Sequence, residues 1–398
     1  MIDATSVLRV YSRYRARVLA AQHPVRIQER QLLRLVRRAA QTRFGRAHGF
    51  ASIQSVADFQ ARVPLRRYED FWRDFWKPAF PQVAGVSWPG RIPFFAVSSG
   101  TSSGTTKYIP VSPAMTRSNK RAALDVLVHH LAARPRSRVL DGAQFMLGGS
   151  TDLKPEAPGI RSGDLSGIAA AGVLFWARAW FFPPPQLALI ADWEKKIDIL
   201  GRESLIRRIR SISGTPSWLL LFFEKLASLK PNAPPRLAEY YPFLELLIHG
   251  GVDFAPYRPR FESWLDGSKA ELREVYPASE GFIAVADRTA GEGLRMILDH
   301  GIFHEFVPIQ ELDSARPVRH WIRTAETGVD YALILSTCAG LWSYVLGDVV
   351  RLIERTPPRL LVTGRTSYFL SAYGEHLTGN EIERSVIEAA GAIGRGVT

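Results

Sequence analysis

Apolar residues in the first 42 positions recur three or four residues apart, on either side of His23-Pro24. This is the period of an amphipathic helix, so the pattern predicts two helices separated at that dipeptide. A third helix is expected to begin at Ser112-Pro113 and to run to residue 133, because proline suits a first helical turn. Two more helices are predicted over residues 218–229 and from Glu381 onwards.

Short apolar runs bounded by glycine or proline become frequent after the middle of the chain, and they predict strands. Because helices dominate early and strands late, with some alternation between them, the pattern indicates a mixed α/β fold with more than one sheet. The predicted strands cover residues 92–97, 144–147, 244–248, 274–276, 281–286, 294–298, 302–307, 331–336, 349–353 and 360–362.

The composition narrows the class of protein without identifying it. With 398 residues, 46% hydrophobic and 22% charged, the chain is neither disordered nor collagen-like. One cysteine, Cys338, excludes an intrachain disulfide and a cysteine-rich metal site. The N-terminus lacks the apolar core of a signal peptide, and no segment offers the ~20 apolar residues of a membrane span. A cytoplasmic protein without a membrane span is therefore expected.

The net charge of +13 is concentrated near the N-terminus, where residues 1–50 hold eleven arginines against Asp3 and Glu29. One interpretation is an arm that binds nucleic acid or an anionic membrane. The other is the solvated face of amphipathic helices. The apolar stripes in the same region favour the second, because disordered arms do not carry them. No nucleic-acid partner is expected.

The loop from Ser98 to Lys107 contains seven hydroxylated residues, two glycines and one lysine. Hydroxyls and backbone N–H groups can surround phosphate oxygens, and the lysine adds a positive charge. The loop lacks the spacing of a Walker motif. Apolar runs flank the loop on both sides, whereas a flexible Ser/Gly linker would not normally be flanked in this way. A phosphate-binding loop is predicted, with ATP as the expected nucleotide.

The same loop contains a rival pattern. Gly100-Thr101-Ser102-Ser103-Gly104 matches the G-x-S-x-G of serine hydrolases, with Ser102 as the nucleophile. That pattern requires a helix immediately after the serine. Residues 105–111 are instead rich in β-branched side chains, and Pro110 and Pro113 also argue against a helix. The hydrolase hypothesis is the weaker of the two.

Two later segments carry side chains suited to a nucleotide. In Tyr276-Pro277-Ala278-Ser279-Glu280-Gly281 an aromatic ring, a hydroxyl and a carboxylate could meet a purine, a phosphate and Mg²⁺. In Tyr344-Val345-Leu346-Gly347-Asp348, interpreted as a turn between strands, the aspartate could accept ribose hydroxyls. Either segment alone is also typical of an ordinary turn. His300 and His304 suggest no third metal ligand, and Asp164 lies in a glycine-rich stretch interpreted as a substrate channel or a surface loop.

Taken in order, these motifs resemble the adenylate-forming superfamily of acyl-CoA synthetases and luciferases. More closely, they resemble the plant auxin-responsive acyl acid amido synthetases and their bacterial relatives. The resemblance extends over about residues 28–387. The segments that carry it are residues 42–50, 58–59, 63–70, 98–110, 276–280, 299–301, 305–308, 344–348 and 374–378.

This resemblance implies a large N-terminal α/β domain with several sheets flanked by helices. It also implies a two-step ligase reaction. A carboxylic acid attacks the α-phosphate of ATP to give an acyl-adenylate and pyrophosphate, and an amine, often of an amino acid, then displaces AMP. The cofactors implied are ATP and Mg²⁺. The site residues implied are Ser98, Ser99, Thr101, Ser102 and Lys107 for the phosphates, Gly250, Gly251 and Tyr276 for the adenine, Ser279 for the α-phosphate, Glu280 for Mg²⁺, Asp348 for the ribose and Arg365 as a second nucleotide contact. Lys107 and Glu280 would be the catalytic pair.

The chain departs from the family pattern near its C-terminus. The family carries a lid domain after the hinge-like segment at Gly374, and the sequence predicts a large domain over residues 1–373 and a stub of that lid over 374–398. His376 stands where relatives usually have lysine. A catalytically inactive nucleotide-binding or acyl-binding homologue therefore remains an alternative, with a serine hydrolase the less favoured one. The acid, the amine and the oligomeric state stay open.

Overall fold

The structure is a computed structural model that describes residues 3–99, 106–149, 152–173, 175–190, 192–288, 291–366, 369–372 and 375–378. The hinge-like Gly374 and the helix predicted from Glu381 lie outside these residues. The chain divides into two compact units. The first comprises Met1–Gln22, Ile92–Ser99 and Thr106–His300, and the second comprises His23–Arg91 and the described part of Gly301–Thr398.

The helices are α1 (Thr5–Ala20), α2 (Pro24–Ala39), α3 (Arg43–Ala47), α4 (Val56–Arg62), α5 (Tyr68–Phe71), α6 (Pro113–Ala133), α7 (Leu165–Ala171), α8 (Pro185–Ala188), α9 (Trp193–Leu205), α10 (Pro216–Leu229), α11 (Leu237–Tyr240) and α12 (Arg258–Leu265). The strands are β1 (Phe94–Ser99), β2 (Thr106–Val111), β3 (Ala143–Met146), β4 (Lys154–Ala157), β5 (Ile160–Gly163), β6 (Phe181–Phe182), β7 (Ile209–Gly214), β8 (Leu246–Gly250), β9 (Glu271–Ala278), β10 (Gly281–Val285), β11 (Leu294–Met296), β12 (Ile302–Pro308), β13 (His320–Trp321), β14 (Asp330–Thr337), β15 (Tyr344–Arg355), β16 (Pro358–Arg365), β17 (Phe369–Ala372) and β18 (Glu375–Thr378).

The predicted helices that fall on described residues are confirmed. Helices α1 and α2 lie on either side of His23, and α6 spans the residues predicted for it. The hydroxyl of Ser112 accepts a hydrogen bond from the backbone N–H of Met115 at 3.0 Å, which satisfies one of the free donors at the start of α6. In the described part of the chain, no helix is long and apolar enough to cross a lipid bilayer.

The first unit contains two sheets. One has the strand order β2-β1-β5-β4. In the other, neighbouring strands follow the order β11-β10-β9-β8-β7-β3-β6. Strands β6, β3, β7, β8 and β9 run parallel to one another, whereas β9, β10 and β11 form antiparallel pairs. The mixed α/β class predicted from the sequence is confirmed.

The longer sheet of the first unit is covered on both faces. Helix α10 buries Leu219, Phe222 and Phe223 in a core that also includes strand residues of β3 and β7. Helix α6 buries Ala122 and Val126 against residues of β9 and β10 in a separate cluster. Burying a large apolar side chain stabilises the fold by about 1.5–3 kcal/mol, so these clusters hold the sheet between two layers of helices.

Helix α1 is tied to α6 by a buried ion pair. The guanidinium of Arg15 donates to both carboxylate oxygens of Asp125, at 2.8 and 2.7 Å, and to Asp299 at 2.7 Å. His300 also contacts Asp125 at 2.9 Å. Arg15 and Asp125 are 7% and 1% exposed. Because water is largely excluded from both charges, each is stabilised by the other.

The second unit contains a sheet in which strands follow the order β13-β12-β14-β15-β16, and a hairpin of β17 and β18. Aromatic rings pack against one another in this unit. The ring of Phe50 contacts that of Trp342 edge-on, with centroids 4.7 Å apart, and the rings of Phe44 and Phe71 stack with centroids 5.6 Å apart. Glu305 is fully buried and is held by Arg319 at 2.8 Å.

One predicted turn is part of a strand. Tyr344–Asp348 was interpreted as a turn between two strands, but it lies inside the single long strand β15. Gly347 has a positive φ of 98°, and the register of β15 against β14 shifts nearby. The glycine therefore allows an irregularity within a strand, not a reversal of the chain.

Candidate functional site

The predicted phosphate loop connects two strands of the first unit. Ser98 in β1 lies opposite Lys107 in β2, and Ser99 lies opposite Thr106. Thr101 and Ser102 lie outside the described residues. The segment after the loop forms β2 and not a helix, so it lacks the strand–turn–helix context that a serine nucleophile at Ser102 would require.

Three other predicted site residues meet at the carboxyl ends of neighbouring parallel strands. Gly250 ends β8 and is the register partner of Val275 in β9, so Gly251 and Tyr276 follow side by side. In open α/β sheets, ligands bind in the crevice at the carboxyl ends of the strands. Tyr276 is 7% exposed, so only a small part of its ring surface is accessible.

Glycine is required at position 250 by the packing of the two strands. A Cβ atom at Gly250 would lie 2.1 Å from the carbonyl oxygen of Val275, which is far inside van der Waals contact. Gly251 has a positive φ of 92°, a conformation that favours glycine. Neither glycine places a side chain at the carboxyl end of β8, and the positive φ of Gly251 allows the chain to turn there.

Ser279 and Glu280 form the two-residue turn between β9 and β10, because Ala278 pairs with Gly281. The turn holds the two side chains together at one end of the β9–β10 hairpin. Glu280 is 8% exposed. In the described part of the chain, no group of three or more histidine, cysteine, aspartate or glutamate residues could hold a metal ion. A single carboxylate suits Mg²⁺ only if phosphate oxygens and water supply the other ligands, as is usual for nucleotide-bound Mg²⁺.

His249, which precedes Gly250, is a buried residue that the sequence did not single out. Its ring stacks on Phe254 with centroids 3.7 Å apart, and it is 1% exposed. Among the described residues, neither ring nitrogen has a hydrogen-bond partner. Burial, with a smaller effect from Arg258, lowers the pKa of His249 to about 3. The side chain is therefore neutral at physiological pH.

Acid should weaken the fold through His249. Because its pKa is lowered on folding, the full stability is present above the unfolded value of 6.5 and declines as pH falls towards 3. Between pH 8 and pH 5 this residue should account for a loss of about 2 kcal/mol, which His249→Phe should remove. Urea unfolding at the two pH values measures this, with His23→Asn, on an exposed residue, as the control. An equal loss in His249→Phe and the wild type would contradict the assignment.

The remaining predicted nucleotide contacts lie in the second unit. Asp348 in β15 and Arg365 in β16 are register partners, and their side chains form an ion pair at 3.2 Å. Asp348 is 8% exposed. The sequence placed both residues at the nucleotide, but it did not indicate that they bind each other. The arginine therefore orients the carboxylate.

Four aromatic residues, Trp176, Trp180, Phe181 and Phe182, are close together in the sequence and could line either an apolar acyl pocket or the core. Phe182 is buried in the core beneath α10, whereas Phe181 is 37% exposed. Trp180 donates its indole N–H to the carbonyl oxygen of Leu140 at 3.2 Å. The side chain of Trp176 lies outside the described part of the structure. Phe182 is therefore a core residue.

Two regions of the chain match models of a known protein family. Residues 17–227 match the GH3 family N-terminal domain, and residues 295–365 match the GH3 family central domain. A protein of Oryza sativa subsp. japonica named as an indole-3-acetic acid-amido synthetase, GH3.10, is 23% identical over 92% of this chain and 84% of its own length. A jasmonoyl–L-amino acid synthetase of Nicotiana attenuata, JAR4, is 26% identical over 50% of this chain and 37% of its own length.

Solved structures share the fold. The acyl acid amido synthetase AtGH3.15 in complex with 2,4-DB has a TM-score of 0.80 at 17% identity, covering 97% of this chain and 76% of the other. A 2-hydroxyisobutyryl-CoA ligase in complex with 2-HIB-AMP has a TM-score of 0.62 at 17% identity, covering 92% and 72%. The fold is that of adenylate-forming enzymes. Because the N-terminal domain match alone covers more than half of the 398 residues, the chain belongs to the GH3 family.

Proposed function

We propose that this protein activates a carboxylic acid with ATP as an acyl-adenylate and transfers the acyl group to an amine. The observation that carries the proposal is the arrangement at the carboxyl ends of β8 and β9, where strand pairing places Gly250, Gly251 and Tyr276 on the side of the sheet from which the Ser279–Glu280 turn extends. Family membership and a curated amido synthetase relative over 92% of the chain support it.

The first chemical step brings a carboxylate to a polyphosphate, so the main task of the protein is to offset negative charge. Lys107 would provide a positive charge at the base of the phosphate loop, next to Ser98. Ser99, Thr101 and Ser102 would add hydroxyls and backbone donors, and Ser279 would contact the α-phosphate. Each donor acts more strongly in a site from which water is excluded.

Glu280 would hold Mg²⁺ together with phosphate oxygens of the nucleotide. The metal would neutralise charge on the phosphates during adenylation. Tyr276, Gly250 and Gly251 would bracket the adenine. Asp348, oriented by Arg365, would accept hydrogen bonds from the ribose hydroxyls.

Acid-dependent exchange of labelled pyrophosphate into ATP tests the proposal. The protein is incubated with a panel of aliphatic, aromatic and indole acids, with and without Mg²⁺. Exchange with at least one acid, lost when the acid or Mg²⁺ is omitted, is the expected result. Measurable ATP binding without exchange for any acid would instead favour a catalytically inactive binding protein. Ester hydrolysis that is independent of ATP and lost in Ser102→Ala would favour a hydrolase.

A further inference from the structure

Asp164 occupies the position that usually caps a helix, yet it does not cap one. It precedes α7 with an extended backbone, φ −61° and ψ 149°, but its side chain makes no hydrogen bond to the helix. Aspartate is favoured at this position because its carboxylate normally accepts a backbone N–H from the first turn. Among the described residues, this exposed carboxylate has neither a hydrogen-bond nor an ion-pair partner.

The carboxylate points instead towards Gly149 and Trp218. A Cβ atom built at Gly149 would lie 2.8 Å from Oδ2 of Asp164 and 3.3 Å from the ring of Trp218. Both groups therefore approach one point, and glycine at 149 leaves room for that approach. Trp218 pairs with Trp193, with ring centroids 4.8 Å apart. A carboxylate supplies the opposite charge for an organic cation, and an indole ring attracts a cation that lies over its face.

Lys196 does not satisfy Asp164. Its ammonium is buried and donates to the carbonyl oxygens of Gly149, Ala188 and Gly148, at 2.8, 3.0 and 3.3 Å. These bonds use all three of its hydrogens. Burial lowers the pKa of Lys196 and the charge of Asp164 opposes that shift, so the two groups are within electrostatic range. Lys196 fixes the Gly148–Gly149 segment, and the carboxylate of Asp164 stays accessible to solvent and to a ligand.

This group lies at the same edge of the sheet as the proposed nucleotide site. Gly149 follows β3, and β7 separates β3 from β8, which ends at Gly250. With strands spaced by about 4.8 Å, the two strand ends are roughly 10 Å apart. A second substrate bound at Asp164 would thus be within the reach of a small molecule from the nucleotide.

We propose that Asp164 and Trp218 bind the ammonium group of the amine substrate. This inference rests on the function proposed above, and it assigns the acceptor to the carboxyl end of β3. The carboxylate would form a charge-assisted hydrogen bond, and the indole face would cover the cation. An alcohol of the same shape would lose the ionic contact and bind weakly.

Ligand binding in the absence of turnover tests the site. Saturation-transfer NMR is recorded on the full chain with butylamine, phenethylamine and the common L-amino acids, each matched to the alcohol or hydroxy acid of the same skeleton. At least one amine should bind more tightly than the alcohol or hydroxy acid of the same skeleton. Asp164→Asn should weaken that binding by about tenfold or more, and Trp218→Phe by several fold. Glu194→Gln, which removes an exposed carboxylate next to Trp193, should change nothing.

Pyrophosphate exchange on the same variants separates the two proposals. Asp164→Asn should leave acid-dependent exchange unchanged, because the amine takes no part in adenylation. Exchange in the wild type together with equal amine binding by Asp164→Asn would overturn the acceptor site but not the ligase. The acceptor site would also be overturned if no amine binds the wild type, or if each amine binds no more tightly than the alcohol or hydroxy acid of the same skeleton. Absence of exchange would count against the ligase alone.

Discussion

Replacing Arg15 by methionine should lower the free energy of unfolding by about 3–5 kcal/mol, because it leaves the carboxylate of Asp125 buried without its main partner. Asp125 is 1% exposed and, among the described residues, then keeps the contact from His300 alone. Methionine retains much of the side-chain volume, so the loss reports the charge and not a cavity. Urea unfolding at pH 7 measures the change. Arg13→Met, on the exposed face of the same helix, should stay within about 0.5 kcal/mol of the wild type.

The pH dependence provides a second check on this ion pair. Burial raises the pKa of Asp125, but hydrogen bonds from Arg15 and His300 outweigh that effect and hold it below its usual range. The stability from this carboxylate is therefore present above the unfolded pKa of 3.8 and is lost as pH falls through the folded value. In Arg15→Met the carboxylate can avoid burial of its charge by taking up a proton. The difference in free energy of unfolding between the wild type and Arg15→Met should therefore be smaller at pH 4 than at pH 7. An equal difference at the two pH values would contradict this explanation.

Glu280→Gln should reduce acid-dependent pyrophosphate exchange by about 100-fold or more, since the variant loses the carboxylate proposed to hold Mg²⁺. The substitution keeps the size of the side chain in the tight turn before Gly281. Exchange at saturating ATP and acid over a range of Mg²⁺ concentrations measures the effect. The variant should require more Mg²⁺ than the wild type, which a purely structural role would not produce.

Two controls make this result specific. Glu262→Gln removes an exposed carboxylate from α12 of the same unit and should leave exchange unchanged. The melting temperature of Glu280→Gln should match that of the wild type without Mg²⁺. Exchange within threefold of the wild type at all Mg²⁺ concentrations would remove Glu280 from the proposed site.

The pattern of apolar residues was sufficient to predict helices that bury one apolar stripe and strands that bury one continuous apolar run. Helix α6 occupies the residues predicted for it, and α1 and α2 lie on either side of His23. Strand β7 was missed because its residues do not look apolar. Arg210 in this strand is 6% exposed, yet it is compensated by Asp141 and Glu245 at 2.9 Å each. A buried charge of this kind cannot be recognised before its partners are known.

For the candidate site, the order of motifs along the chain indicated the family, which the comparisons confirm for residues 17–227 and 295–365. The same motifs did not show how their members pair. The ion pair of Asp348 with Arg365 joins side chains seventeen positions apart, and it arises from the register of β15 against β16. The roles assigned to these residues and the boundary at residue 373 stay predictions.

The sequence by itself determined the α/β class, the helix pattern near the N-terminus, the family and the residue types available for phosphate binding, because these depend on local periodicity and on motif order. Only the tertiary structure decided which groups meet. It set Asp164 against Trp218 over Gly149 and buried Arg15 with Asp125, 110 positions away along the chain. It also showed that Gly250 is required by the backbone of Val275. Such contacts depend on strand register and helix packing, which join residues that are remote in sequence.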